Sequence, residues 1–274
     1  MPDTTWELTH WITERYAIKL RRAAGILPPW TADPHMEHVR YCNVHREDDA
    51  VTKWFRAYWN KPDDPAWKFV LGRMINYVPT LEEIRLPTAT DNLDEIKSVL
   101  KARRSRGEKV FTSVYTISTC GKSMNKIDYV VDHVCESVFT FGLEFSWKYD
   151  SLASMQSDLT CIDGLGSFLA AQVIADMKNT AHHPLAKAPD YWDWCAPGPG
   201  SIKGLKAFFP GRNVTAGNFH TIMKECRQLV DPLIPDYIPR ISAQDFQNCL
   251  CEFSKYMRVK YENGHVRNRY VASV

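Results

Sequence analysis

The stretch "IDGLGSFLAAQVIADM" (162–177) decides the fold that we predict for this chain. It joins two segments of helical periodicity through a turn with two glycines, where a simple turn needs only one. A glycine has no Cβ to hold a ligand away from the backbone, and the N–H groups that open a helix attract anions. The pattern is typical of a helix-hairpin-helix, so we predict that DNA binds at Gly164, Gly166 and Ser167 and that Ile162 and Leu165 pack on the core. An ordinary turn between two helices is the alternative.

The rest of the chain is also mainly of helical periodicity, so we predict an all-α protein. The segment "KVFTSVYTIST" (109–119) is the one β-like stretch, and a buried helix fits it equally well. No linker divides the chain, which predicts a single helical domain over 1–274, with the hairpin at 152–178, or two helical lobes. The predicted helices cover 4–25, 46–59, 65–77, 93–107, 125–149, 151–162, 167–179, 200–209, 215–230 and 242–261. The first of them has a threonine cap and Gly25 as its stop.

Composition fits a globular protein, because 45% of the 274 residues are hydrophobic, enough to form a full core. The formal net charge of +2 does not by itself indicate a nucleic-acid-binding protein. No apolar run approaches the roughly 18–20 residues that a membrane span needs, and the charged N-terminal segment is not a signal peptide. The eight cysteines lack the spacing of metal sites, so we expect a cytoplasmic protein with reduced thiols and with neither metal nor cofactor.

Positive charge is concentrated between Lys97 and Lys126, where eight Lys and Arg residues accompany a single acid, Glu108. A basic face on a nearly neutral protein is typical of a polyanion-binding site. A solvated helix face explains the pattern equally well. Within this stretch we assign Lys126 to phosphate binding.

The segment "RYCNVHREDDAVTKW" (40–54) concentrates charged and polar residues at a predicted helix start. Arg40, Asn43 and Arg46 suit contacts to a phosphate or a carboxylate, since a guanidinium binds both in a bidentate manner. Asp48 could act as a base, because the pKa of a carboxyl depends on its burial and neighbours. A capped helix start with solvated charges is the alternative.

The segment "CAPGPGSIKGLKAFFPGR" (195–212) is a second loop that opens a predicted helix. Its Pro-Gly steps expose backbone, and we place Ser201 at the helix N-cap. Gly200, Ser201 and Lys203 are therefore candidate DNA contacts. A stiff structural loop is an equally good interpretation.

Two further segments bear on catalysis. In "CLCEFSKYMRVKY" (249–261), Glu252 and Lys255 share a helix face, as either a surface salt bridge or an acid–base pair in a site. The segment "TCGKS" (119–123) imitates the end of a phosphate-binding P-loop, but Thr116 stands where its first glycine is required. No other match to that motif exists, so phosphoryl transfer by a P-loop is not indicated.

Taken together, several segments resemble the phage proteins of thymine hypermodification, which are helical, DNA glycosylase-like proteins acting on DNA with 5-hydroxymethyluracil. One group is the α-glutamyl/putrescinyl-thymine pyrophosphorylases, or amino acid:DNA transferases, and a neighbouring group is the helical domain of 5-hydroxymethyl-deoxyuridine (5-hmdU) DNA kinases. The segments occur in the same order along the chain: "ERYAIKLRRAAGILPPWTADP", "RYCNVHREDDAVTKW", "YTISTCGKSMNKIDYVVD", "IDGLGSFLAAQVIADM", "CAPGPGSIKGL" and "CLCEFSKYMR".

The resemblance implies an enzyme that transfers an amine onto the phosphate-activated 5-hydroxymethyl group of uracil in double-stranded DNA. The amine would be an amino acid or a polyamine, and a 5-hydroxymethyluracil DNA kinase would supply the phosphate. The base would flip out of the duplex, as chemistry on a base usually requires. A phage-encoded protein would do this in the host cytoplasm.

The site residues that this chemistry would use are those already named, together with Asp190. Arg40 and Arg46 would hold the phosphate or the carboxylate, and Asp48, Asp190 or Glu252 would deprotonate the amine, which attacks only when neutral.

Two alternatives to amine transfer stay open: a catalytically silent DNA-binding module that works with a kinase, and an N-glycosylase. Some helix-hairpin-helix glycosylases carry a catalytic Lys just after the hairpin, where this chain has Ser167 and Phe168. The carboxylates that could serve a glycosylase, Asp190 and Asp193, come later than is usual in that superfamily.

Overall fold

The computed structural model describes residues 2–58, 65–86, 92–112, 117–141, 149–262 and 264. These residues contain no β-strand, so the all-α prediction is confirmed. The α-helices are α1 (Thr4–Ala23), α2 (Pro34–Glu37), α3 (Ala50–Tyr58), α4 (Ala66–Ile75), α5 (Val78–Glu83), α6 (Leu93–Ser105), α7 (Lys126–Asp128), α8 (Glu136–Thr140), α9 (Leu152–Leu159), α10 (Ser167–Lys178), α11 (Pro199–Phe208), α12 (Phe219–Val230) and α13 (Ala243–Tyr261).

The chain divides into two compact units. Unit 1 consists of residues 1–45 and 195–274, and unit 2 is the continuous segment 46–194. Each unit has its own cluster of buried apolar side chains. Treating the whole chain as one domain stays a prediction.

The segment 109–119 differs from both forms of its prediction. Residues 109–112 and 117–119 form neither a strand nor a helix, and residues 113–116 lie outside the described part of the chain. A short apolar run has no periodicity that could distinguish a strand from a buried helix. Here the described residues have no regular secondary structure and are held by individual hydrogen bonds. The Oγ1 of Thr80, for example, donates to the backbone carbonyls of Lys109 (3.2 Å) and Val110 (3.0 Å).

The predicted long helix over 125–149 is helical as far as Thr140 but is not a uniform α-helix. A π-helix, Tyr129–Cys135, joins α7 to α8. Residues 142–148 of the prediction lie outside the described residues. Wider turns of this kind occur inside helices and often accompany functional sites.

The start of α1 also differs in detail, because Asp3 rather than a threonine caps it. The Asp3 side chain accepts hydrogen bonds from the backbone N–H groups of Thr5 and Trp6, each at 3.1 Å. At the other end the chain leaves the helix at Gly25, which has a φ of +72° and confirms the predicted stop.

Unit 2 is built around α4 and α10. Trp67, Phe69 and the rest of α4 are buried, and the inner face of α10 packs beside them. The two helices also share a buried ion pair, in which the Arg73 Nε donates to the Asp176 Oδ2 at 2.6 Å and a second nitrogen donates to the Asp176 Oδ1. This pair fixes the second helix of the predicted hairpin against the core.

In unit 1, α11 packs closely on α13, and glycines allow the approach. A Cβ on Gly204 would lie 2.1 Å from the carbonyl oxygen of Leu250, and one on Gly200 would lie 2.2 Å from the Sγ of Cys251. The missing side chain of Gly200 therefore serves the contact between two helices. Gly200 itself is half-buried, and its assignment to DNA contact stays a prediction.

Ser201 is likewise a structural residue. It is the third residue of α11 rather than its N-cap, and its side chain is 0% exposed. Its Oγ accepts hydrogen bonds from the Gly198 N–H (3.1 Å) and the Gln247 Nε2 (3.0 Å). Since DNA cannot reach this hydroxyl, the predicted contact was wrong.

Candidate nucleic-acid interface

The segment of the predicted hairpin forms α9, a short turn and α10 in unit 2, while its identity as a helix-hairpin-helix stays a prediction. Ile162 and Leu165 are buried, which confirms that the two apolar residues of the turn pack on the core. The Leu165 N–H donates to the Ile162 carbonyl at 3.0 Å and closes the turn. The two glycines that flank Leu165 have different surroundings.

Gly164 is a packing glycine. Its φ is +96°, and an added Cβ would lie 2.5 Å from the Tyr129 Oη and 3.0 Å from a methyl of Val134, both on the π-helix. The atoms that approach Gly164 closely are therefore those of Tyr129 and Val134. The reason given for a DNA contact at Gly164 was wrong.

Gly166 is an open glycine. It is exposed, its φ is −56°, and a Cβ added there would meet no atom within 4 Å. It is the N-cap of α10, where it provides no side chain to bind the first N–H groups of the helix. Such a helix start carries a partial positive charge and donors suited to a phosphate. Ser167 and Phe168 are exposed beside it.

The negative charge of Asp163, which would repel an anion bound at the turn, has nearby partners. The only acid of the turn, Asp163, lies 3.0 Å from the His133 Nε2 and 3.3 Å from the Lys122 Nζ. Hydrogen bonds from His133 and Lys122 lower the pKa of the Asp163 carboxyl. The Lys122 ammonium group and the hydrogen bond with His133 therefore compensate its negative charge, which reduces its repulsion of a phosphate at α10.

Sequence analysis missed both partners of Asp163. Lys122 was only one of eight cations in the basic stretch, and His133 was one position in a helical run. The spacing of His133 and Tyr129, one turn apart, could have marked one face of that helix. Which element this face meets depends on tertiary packing, which periodicity does not give.

The three predicted catalytic residues of unit 2 have structural partners. The Asp190 carboxylate accepts hydrogen bonds from the N–H groups of Leu152 (2.9 Å) and Ala153 (3.0 Å), so it caps the start of α9. Arg46 is buried, with its Nη1 3.9 Å from the Asp49 Oδ2. The Asp48 carboxylate lies 3.4 Å from the Lys53 Nζ.

The predicted site residues of unit 1 come together where α13 meets the loop 40–44. The Glu252 carboxylate lies 2.6 Å from the Lys255 Nζ and accepts a hydrogen bond from the Cys42 N–H at 3.3 Å. Lys255 also donates to the Arg40 carbonyl at 2.9 Å, and Asn43 accepts from Arg15 at 2.5 Å. These contacts attach the loop to α13 and α1, and the Arg40 side chain is exposed. Catalytic or binding roles for these residues stay predictions.

Of the predicted contacts on α11, only Lys203 is exposed. Within the described ranges, no three His, Cys, Asp or Glu side chains converge as a metal site would require. None of the helices in that part of the chain is long and apolar enough to cross a membrane.

Comparison with known proteins gives a family and one informative relative. The family model described as "5-hmdU DNA kinase, helical domain" matches residues 3–265. A protein of Bacillus phage SP10 that bears the name 5-hmdU DNA kinase is 28% identical over 240 residues. The alignment covers 76% of this chain but 36% of the relative, so the chain spans about a third of that protein's length. No solved structure matches the chain.

Proposed function

The chain belongs to the family of the 5-hmdU DNA kinase helical domain, and we propose that it binds DNA containing 5-hydroxymethyluracil and takes part in the modification of that base. In this proposal the hairpin of α9 and α10 holds the DNA backbone.

The open start of α10 is the observation that carries the proposal. Gly166 leaves the first N–H groups of the helix without a side-chain cap, and a Cβ added at Gly166 would meet no atom within 4 Å. Lys122 and a hydrogen bond with His133 compensate the charge of the nearby Asp163. A DNA phosphate is the ligand that such a helix start suits in a protein of this family.

Access to the base itself would come from beside the same turn. Phe168 follows Gly166 by two residues, and its side chain is 54% exposed. Apolar side chains can enter a base stack and help to extrude a base. Phe168 is therefore placed to contact the DNA near the bound phosphate.

The proposal is tested by the affinity of the full chain for a duplex with 5-hydroxymethyluracil and for the same duplex with thymine. Gly166→Val places a side chain where the phosphate would lie, and we expect about a tenfold loss of affinity, the usual effect of losing one charge-assisted hydrogen bond. Gly217→Val is the matched control, since Gly217 in unit 1 also has room for a Cβ, whose nearest neighbour would be 3.8 Å away.

Either of two results would contradict the proposal. One is that the wild-type chain binds neither duplex. The other is that Gly166→Val and Gly217→Val bind equally well, although both variants keep the helical circular-dichroism spectrum of the wild type.

Transfer of an amine onto the phosphate-activated base is the more specific function that the sequence predicted. The carboxylates proposed as its base are already engaged, since Asp190 caps α9, Glu252 pairs with Lys255 and Asp48 lies beside Lys53. A base must accept a proton from the amine, which would require these contacts to break. DNA binding is therefore better supported than amine transfer.

A product analysis distinguishes these functions. The chain is incubated with phosphorylated 5-hydroxymethyluracil DNA and a mixture of amino acids and polyamines. The DNA is then digested, and the masses of its nucleosides are measured by mass spectrometry. An aminated thymidine would establish the transferase, and abasic sites would establish a glycosylase. If the chain acts only as the DNA-binding part, the nucleosides keep their mass. Phosphoryl transfer by a P-loop is not proposed, because the sequence lacks GxxxxGK[ST].

A further inference from the structure

The basic stretch from Lys97 to Lys126 divides into two groups of cations. Five of the eight are in ion pairs, and these pairs neutralise their charge. The pairs are Lys97 with Asp132 (2.9 Å), Lys101 with Asp128 (2.7 Å), Arg103 with Glu83, Arg106 with Glu83 (2.6 Å) and Lys122 with Asp163 (3.3 Å).

The other three cations, Arg104, Lys109 and Lys126, lie together. They line one open cleft of about 500 Å³, with Phe111 and Asn125 also in its wall. Among the residues that the structure describes, no carboxylate is within ion-pair distance of any of the three. The cleft therefore concentrates positive charge that the protein does not compensate.

One acid, Glu108, also lines the cleft but is held by other partners. Its Oε1 lies 2.8 Å from the Arg106 Nε, and its Oε2 lies 2.9 Å from the Arg103 Nη1. The hydrogen bond from Arg106 lowers the pKa of Glu108, which stays charged and paired at neutral pH. The charge of Glu108 is therefore compensated by Arg103 and Arg106.

Aromatic rings hold two of the three cleft cations in place. The Lys109 Nζ lies 4.9 Å from the centre of the Tyr77 ring, and the Lys126 Nζ lies 5.2 Å from the centre of the Phe111 ring. A cation–π contact orients an ammonium group without cancelling its charge. Both lysines are thus positioned for an anion before one arrives.

We infer that the cleft of Arg104, Lys109 and Lys126 is a second phosphate-binding site, which takes a backbone phosphate of the DNA held by the hairpin. This inference rests on the proposed function. A phosphate suits the cleft because three cationic side chains converge there, and guanidinium and ammonium groups are the usual phosphate donors of proteins.

One short segment of chain connects the two sites. Lys122 pairs with Asp163 of the hairpin turn, and Lys126 lines the cleft. These two lysines are four residues apart, so their Cα atoms are separated by at most about 14 Å. The same basic segment therefore contributes both to the surroundings of the hairpin turn and to the cleft.

The salt dependence of DNA binding tests the inference. The wild-type chain is compared with the triple variant Arg104→Gln, Lys109→Gln, Lys126→Gln, by measuring the slope of log K against log salt concentration. The proposed site takes one phosphate, and the loss of one phosphate contact makes the slope shallower by about 0.9, so we expect a change of that size. The control is Lys97→Gln, Lys101→Gln, Arg106→Gln, which removes the same charge from paired positions of the same stretch, and its slope should stay close to that of the wild type.

Three results would overturn the inference. If the wild type binds DNA and both triple variants give equal slopes, the cleft does not contact DNA, while the proposed function still stands. If the wild type does not bind DNA, the proposed function fails and the inference fails with it. If the slopes are equal but calorimetry shows that the wild type binds inorganic phosphate and the cleft variant does not, the cleft takes a free phosphate instead.

The inference can still be tested if the triple variant does not fold. Its thermal unfolding is recorded by circular dichroism, and if it does not fold, Lys109→Gln alone replaces it. Lys109 is exposed at the surface, so this single change should leave the fold intact and make the slope shallower by up to about 0.9. An unchanged slope for this folded variant overturns the inference.

Discussion

Gly164 and Gly166 show how one residue type can meet two physical demands within three positions. Gly164 has a left-handed backbone and no room for a side chain, because Tyr129 occupies that space. Gly166 has an ordinary φ and open space in front of it. The first glycine therefore belongs to the stability of the hairpin, and the second is available to a ligand.

The two glycines should respond differently to the same substitution. Gly164→Ala combines a strained φ with a contact of 2.5 Å to the Tyr129 Oη, and each of these effects typically costs about 1 to 3 kcal/mol. Gly166→Ala should cost less than about 1 kcal/mol, the usual range for an N-cap substitution. Urea unfolding of the two variants measures the difference, and equal losses of stability would show that the tight contact at Gly164 has no energetic effect.

At the residue scale, the sequence predicted the burial of side chains better than their contacts. It predicted that Ile162 and Leu165 are buried, because apolar residues in a turn have few other places to go. It placed Asp190 in a catalytic site, but the carboxylate caps a helix that begins 38 residues earlier in the chain. A cap between residues so distant in sequence leaves no local pattern to detect.

At the scale of elements, a buried ion pair ties α10 to α4. Arg73 and Asp176 are both 0% exposed, and Thr52 donates a further hydrogen bond to Asp176 at 2.7 Å. A buried charge is tolerated only when its partners compensate the loss of hydration. The pair thus makes the position of α10, and of the turn before it, depend on α4.

Removal of one partner of this ion pair should lower the free energy of unfolding far more than removal of both partners. Arg73→Met leaves the Asp176 carboxylate buried without its cation, which typically costs about 3 to 5 kcal/mol of unfolding free energy. The double variant Arg73→Met, Asp176→Leu leaves no uncompensated charge and should lose less than Arg73→Met alone. Denaturant unfolding of the two single variants and the double variant gives the coupling energy, and additive losses would argue against a coupled pair.

Most helices could be predicted, but the way they pack could not. Helical periodicity and caps placed α4, α6 and α10 within a few residues, since both signals are local. The π-helix went unrecognised because its residues have ordinary helical periodicity. The same limit explains Gly200, whose partner Cys251 comes from a helix distant in sequence.

At the scale of the whole molecule, each unit is organised around a core of its own. The apolar cluster of unit 2 draws its buried residues from Val51 to Ala188, and that of unit 1 draws them from Leu8 to Val44 and from Cys195 to Met257. Unit 2 is continuous in sequence and contains both the hairpin and the basic cleft. All the contacts to DNA that we propose therefore lie in one unbroken segment of chain.

This organisation predicts that residues 46–194 fold and bind DNA when produced alone. Their buried cluster is complete within the segment, and the ion pair of Arg73 with Asp176 and the cap of Asp190 on α9 are internal to it. We expect one cooperative thermal transition by circular dichroism, and a loss of DNA affinity on Gly166→Val of about the same tenfold size as in the full chain. A segment that melts without a cooperative transition would show that its core is not self-sufficient. A folded segment that no longer binds DNA would place essential contacts in unit 1, where Lys203 and Arg40 are the first cations to replace by glutamine.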